Sequence, residues 1–177
     1  MQLITLRKGL IIALGFGALI MGFSVYAAVN NTIAEGVYAN FEEFGGPANT
    51  RMRTLTIAPG EILGWHNHPG VGAYTIVKQG TLTVEDGCGF ETVYTAGQAF
   101  LEPAGRVHRG KNLTSSDVIT AQMFIVPLGT PYTIDTVKAC GRPLKVAECK
   151  GENWKQFDYP STFDSQGDCM QFVITGK

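Results

Sequence analysis

The chain of 177 residues contains only three histidines, and all of them fall inside two glycine-punctuated stretches. The first runs from Gly60 to Gly80 and carries Trp65-His66-Asn67-His68; the second runs from Gly97 to Asn112 and carries His108. Neutral imidazole is a strong ligand for divalent transition metals, and three converging imidazoles suit zinc, iron, nickel, copper or manganese. Histidine used this way, and nowhere else, reads as a metal site at His66, His68 and His108. Nothing outside the trio stands out as a general base, so catalytic residues stay unassigned, and a hydrolase or a proton-transfer isomerase is disfavoured.

These side chains can meet only if strands bring them together. Residues two apart on a strand share a face, so His66 and His68 point one way while Trp65 and Asn67 point the other. His108 belongs to a later strand and reaches the pair only in a sheet that folds back on itself. Alternation of polar and apolar residues predicts strands at 51–57, 62–68, 74–78, 81–85, 91–94, 99–101, 106–109 and 118–126. A further strand is expected around 37–44. Pro59-Gly60, Pro69-Gly70, Gln79-Gly80, Asp86-Gly87 and Pro103-Ala104-Gly105 supply the turns between them. Many short strands with evenly spaced turns predict an all-β sandwich or small barrel.

The two histidine stretches resemble the two signature motifs of the cupin superfamily. The first motif is matched at Gly60, His66, His68 and Gly80, and the second at Gly97, Pro103, Gly105, His108 and Asn112. The resemblance covers roughly Arg51 to Val126. It implies a small antiparallel jelly-roll (double-stranded β-helix) barrel with metal ligands at His66, His68 and His108. One position departs: where the family places a glutamate, this chain has Ala73. Glu61 and Glu102 are the nearest acids in sequence; each is placed at a strand start and read as a poor candidate for a fourth ligand. An open three-histidine site resembles that of cupin dioxygenases, which implies a metal-dependent oxidoreductase acting on a small organic molecule. The alternative is a non-enzymatic cupin module that binds a small molecule or a metal.

The remaining chain bounds the setting. Residues 1–27 carry Arg7 and Lys8 ahead of an uncharged apolar run and read as a signal peptide, or as a helical membrane anchor over residues 9–29 if uncleaved. Residues 28–50 form a lead-in, residues 51–127 the barrel, and residues 128–177 a C-terminal extension packed on it. The last 50 residues are too few to bury a separate core easily. Four cysteines, Cys88, Cys140, Cys149 and Cys169, without a Cys-x-x-Cys pair, read as disulfides of a periplasmic or extracellular protein, with the pairing open. Fourteen basic against 15 acidic residues give no positive excess to attract nucleic acid. The expected partners are a small-molecule ligand and, as a further possibility, a second copy in a homodimer. Trp65, Tyr74, Phe100 and Phe124 read as core or sheet-packing residues; Arg53 and Arg106 could face a bound carboxylate, but arginines on strands are more often solvated on the outer face, and that is how they read here.

Overall fold

A computed structural model describes residues 28–159 and 161–177. The export segment expected at residues 1–27 lies outside the described residues. Ten strands form two five-stranded antiparallel sheets: β1 (Val29–Phe41), β2 (Gly46–Ile57), β3 (His66–Asn67), β4 (Ala73–Gln79), β5 (Thr81–Asp86), β6 (Glu91–Thr95), β7 (Ala99–Glu102), β8 (His108–Lys111), β9 (Val118–Pro127) and β10 (Ile134–Asp135). The first sheet has the order β1-β2-β9-β4-β7 and the second β10-β3-β8-β5-β6. The long crossings between the sheets are those of a jelly roll.

Alternation within the strands explains the interior. Along β9, Val118, Thr120, Gln122, Phe124 and Val126 are buried while Ile119, Ala121 and Met123 are less so. Along β2 the inward row reads Arg51, Arg53, Leu55, Ile57, so the interior is polar at one end and apolar at the other. The apolar end is a core of Leu55, Ile57, Val77, Leu82 and Val118, backed by Leu63, Val84, Tyr94 and Phe100. At the polar end the register sets Arg53 opposite Gln122 and Gln122 opposite Thr75. Paired residues on neighbouring strands share a face, so this rung lies inside with the histidines.

The strand expected around 37–44 runs instead from Val29 to Phe41, and residues 42–44 form a turn that Gly45 ends with φ of 63°. Residues 29–40 are exposed on both faces, so no alternation marked the strand in sequence. The strand expected over 62–68 is confined to His66 and Asn67, with an isolated bridge at Ile62. Tyr74, expected to pack, is half exposed on the outer face. Gly80 shows why its motif needs glycine: φ is 80°, and a Cβ would sit 2.6 Å from the Asp117 carbonyl oxygen.

Beyond β9 the chain stays with the barrel. β10 joins the second sheet beside β3, and two 3-10 turns and one helix, α1 (Gln166–Thr175), follow. Ser165 caps α1 by accepting from the Asp168 N–H at 3.1 Å, and Gly176 closes it with φ of 72°. Cys140, Cys149, Phe157, Phe163, Cys169 and Phe172 form a second core. Disulfides join Cys88 to Cys140 and Cys149 to Cys169. The first staples the extension to the β5–β6 turn, where Gly87 lies so close to Ala139 that a Cβ would overlap its carbonyl oxygen.

Candidate metal centre

His66 and His108 are directly opposed on β3 and β8, and His68 follows two residues after His66. The three rings lie with centroids 4.5 to 5.1 Å apart, and one ligand atom from each falls within 4.8 Å of the others. The three residues that the sequence singles out are thus brought together.

Their tautomers follow from hydrogen bonding. His66 Nδ1 lies 2.8 Å from the Gly64 carbonyl, His68 Nδ1 2.8 Å from that of Tyr132, and His108 Nδ1 2.9 Å from that of Arg106. A carbonyl oxygen only accepts, so each Nδ1 carries the hydrogen and each Nε2 lone pair is turned toward the cluster. Backbone acceptors fixing the far nitrogen are the arrangement that orients metal-bound imidazoles. Burial, followed by the neighbouring His108 and His68, pushes His66 down to about 4, so it is neutral near pH 7.

The structure places Glu102 beside the histidines. It stands at the end of β7, buried, with its Oε2 2.9 Å from His68 Nε2 and 3.4 Å from His108 Nε2. Burial works to raise the Glu102 carboxyl, but His108 and His68 outweigh it and hold it well below the ordinary carboxylate range. Burial likewise opposes charge on His108, and hydrogen bonding to Glu102 overcomes it, raising that imidazole. Register explains the position: Glu102 pairs directly with Ala73, so their side chains share the inner face. A carboxylate thus stands on the inner face opposite Ala73, beside His68 and His108.

A chain of hydrogen bonds aims it. Arg53 Nε donates to Gln122 Oε1 at 2.8 Å, Gln122 Nε2 donates to Thr75 Oγ1 at 3.2 Å, and the Thr75 hydroxyl donates to Glu102 Oε1 at 3.1 Å. One carboxylate oxygen is thereby satisfied. His68 Nε2, His108 Nε2 and Glu102 Oε2 are buried and face one another, and no other protein atom satisfies them. Buried polar atoms of this kind require an explanation. An ion bonded at about 2.1 Å separates neighbouring ligands by roughly 3 Å, which these spacings suit. The donor set fits a divalent metal.

A cavity of about 230 Å³ opens beside the cluster. Its polar wall includes Arg53, His66, Glu102, His108, Gln122, Thr133 and Asp135, and its apolar wall includes Leu55, Ile57, Leu63, Leu82 and Val84. Thr133 and Asp135 belong to the extension, which therefore completes the cavity as well as packing on the outside. Asp135 pairs with His66 through β10, and Thr136 N–H donates to the Trp65 carbonyl at 3.0 Å.

Both arginines depart from the outer-face expectation. Arg53 points inward, its guanidinium 4.8 Å from the Phe124 ring centre, and burial pushes its proton affinity down. Arg106 is buried under the extension, paired with Asp86 at 2.7 Å and Glu148 at 3.4 Å while donating to the Arg142 carbonyl. Asn112 is a structural residue: its amide donates to the Ile57 and Ser116 carbonyls at 2.9 and 2.8 Å.

The cupin-domain model matches residues 53–130. Among solved structures, a conserved protein with a double-stranded β-helix domain from Klebsiella pneumoniae is 18% identical with a TM-score of 0.51, over 65% of this chain and 89% of that one. A cupin superfamily protein from Desulfitobacterium hafniense is 10% identical with a TM-score of 0.43, over 57% and 79%. An oxalate oxidase in complex with the substrate analogue glycolate is 18% identical with a TM-score of 0.45, over 62% and 55%. No curated protein sequence matches the chain.

Proposed function

The barrel of this chain belongs to the cupin superfamily, and on that premise we propose that it holds one divalent metal ion through His66, His68, His108 and Glu102 and presents it to a small organic molecule in the adjoining cavity. The observation that carries the reading is the tautomer lock: three backbone carbonyls spend the Nδ1 hydrogens and leave the Nε2 lone pairs facing one another. In this reading Glu102 adds one negative charge and a hard oxygen donor to the three imidazoles.

In this reading the protein is an oxidoreductase of the dioxygenase type. When bound, the metal supplies Lewis acidity and positions at which substrate and dioxygen meet. The protein's own groups do the rest: Leu55, Ile57, Leu63 and Leu82 exclude water, and Thr75 holds Glu102 in one orientation. The paired disulfides suit an oxidising compartment, in keeping with export.

Metal analysis of the native protein, followed by oxygen-uptake assays against small carbonyl compounds and thiols, tests the proposal. Stoichiometric iron with substrate-dependent oxygen consumption is expected. Zinc with tight ligand binding and no oxygen uptake would make it a binding module instead, and absence of any metal would overturn the metal reading.

A further inference from the structure

Two arginines lie close to the histidine cluster, and only one of them is used up by the protein. Arg106 is engaged by Asp86, Glu148 and the Arg142 carbonyl, so its charge is spent in joining barrel to extension. Arg53 makes no ion pair among the described residues, and only its Nε–H meets a protein acceptor, Gln122. A guanidinium has five N–H donors in a planar fork matched to carboxylate. None of the others is a buried orphan, and Arg53 lines both this cavity and a groove beside Thr130 and Tyr132, so its terminal nitrogens are free to meet a ligand.

Position adds to this. The Arg53 guanidinium lies 4.8 Å from the centre of the Phe124 ring, and His68 lies 5.1 Å from that same ring. The same aromatic ring thus borders both the Arg53 guanidinium and one of the three histidines. Glu102 lies near enough to favour the Arg53 charge but makes no ion pair with it, because its oxygens are turned to Thr75 and to the histidines. Apolar side chains complete the cavity, and its volume of about 230 Å³ admits only a small molecule.

We propose that Arg53 anchors a carboxylate, which makes the ligand of this cavity a small carboxylic acid with a short hydrocarbon body and a second oxygen donor, a 2-hydroxy or 2-oxo acid. The carboxylate meets the guanidinium fork, and the second oxygen is directed toward the ion. This assignment deepens the metal reading above and rests on it for the second contact alone.

Calorimetric titration with 2-hydroxybutanoate and with 1,2-butanediol, on zinc-loaded and on metal-free protein, tests it. The acid is expected to bind the loaded wild type about tenfold or more tighter than the diol, as a charge-assisted bidentate contact requires. With zinc saturating and again on metal-free protein, Arg53→Met is expected to lose about tenfold or more in affinity for the acid with diol affinity unchanged; Arg53→Lys, which keeps the charge without the fork, should fall between. Wild-type preference for the diol, no acid binding, or equal acid affinity in wild type and both variants would each overturn the proposal. If zinc does not bind, the metal reading fails by itself, and the difference between acid and diol on metal-free protein still decides the role of Arg53.

Discussion

The barrel and the C-terminal extension bury their apolar side chains by different means. In the barrel, alternation along β2, β4 and β9 sends every second residue inward, and strand pairing does the rest. The extension has one ten-residue helix, two 3-10 turns and a small core in which three of the six buried residues are disulfide cysteines. A unit of that size rarely sustains a core without covalent help. Yet it supplies the Tyr132 carbonyl that orients His68, the β10 pairing beside His66, and Thr133 and Asp135 in the cavity wall. The difference teaches that the barrel positions the three histidines while the extension, itself pinned by disulfides, orients His68 and pairs with the strand that carries His66.

The largest effect is expected inside the barrel. His108→Ala removes one Nε2 from the centre, and bound metal should fall from about one ion per chain to near none, together with the thermal stabilisation that the metal confers. Unchanged metal content by elemental analysis would sink the three-histidine assignment.

The disulfides come next and separate the two parts of the extension. Replacing Cys88 and Cys140 by serine opens a cross-link over 52 residues, which the chain-entropy model values at roughly 4 kcal/mol. Because this cross-link ties down the segment that follows β10, metal affinity should also drop, by about 10–100-fold, as when outer contacts to a ligand are lost. Replacing Cys149 and Cys169 opens a span of 20 residues, worth roughly 3 kcal/mol, but should leave metal affinity within about twofold. Denaturant melts paired with competitive metal titration measure both. Equal losses of metal affinity in the two variants would mean that the extension acts on the site as one body.

The same contrast governs what was legible in the sequence. Turn glycines, strand alternation and the histidine spacing are local patterns, and they located the barrel and the trio. The place of Glu102 beside the histidines was not legible, because it depends on a pairing with Ala73 across 29 positions and on register, which no local pattern states. Arg53 was misread for a related reason: alternation puts it on the same face as Leu55 and Ile57, but an arginine there suggests the outside unless a polar interior is already known. The cysteine pairing depends on how the irregular extension folds back, and spacing carries no information on that.

A swap of the opposed pair measures how far register alone explains the site. Glu102→Ala should weaken metal binding by about 10–100-fold, the range for loss of one supporting or ligating contact. Ala73→Glu in that background restores a carboxylate on the same inner face and should recover part of the loss. Ala73→Glu alone crowds a second carboxylate against the first and should lower stability, since like charges directly opposed across strands repel. Recovery in the double variant no better than in Glu102→Ala would mean that residue 73 cannot reach the centre.

The smallest effect lies where the two regions touch through charge. Glu85 on β5 accepts from Lys111 at 2.9 Å and from Arg109 at 2.7 and 2.9 Å, both on β8, while Lys138 of the extension stands 3.6 Å away. Hydrogen bonding to Lys111 and then Arg109 lowers the Glu85 carboxyl from 4.5 to about 2. A carboxyl depressed in the folded state contributes stability that is fully present above its unfolded value and is lost as pH falls through the folded one. The contribution should therefore fade between pH 4.5 and about 2, and Glu85→Gln should flatten the stability profile in that window alone. Lys138→Met should leave the window almost unchanged, because Lys138 is half exposed and an exposed ion pair is worth about 0–1 kcal/mol. If Lys138→Met flattened it as much as Glu85→Gln, this surface charge would hold the extension to the barrel alongside Cys88–Cys140 and the partly buried Arg106–Glu148 pair, and the division between a self-paired barrel and a pinned extension would have to be redrawn.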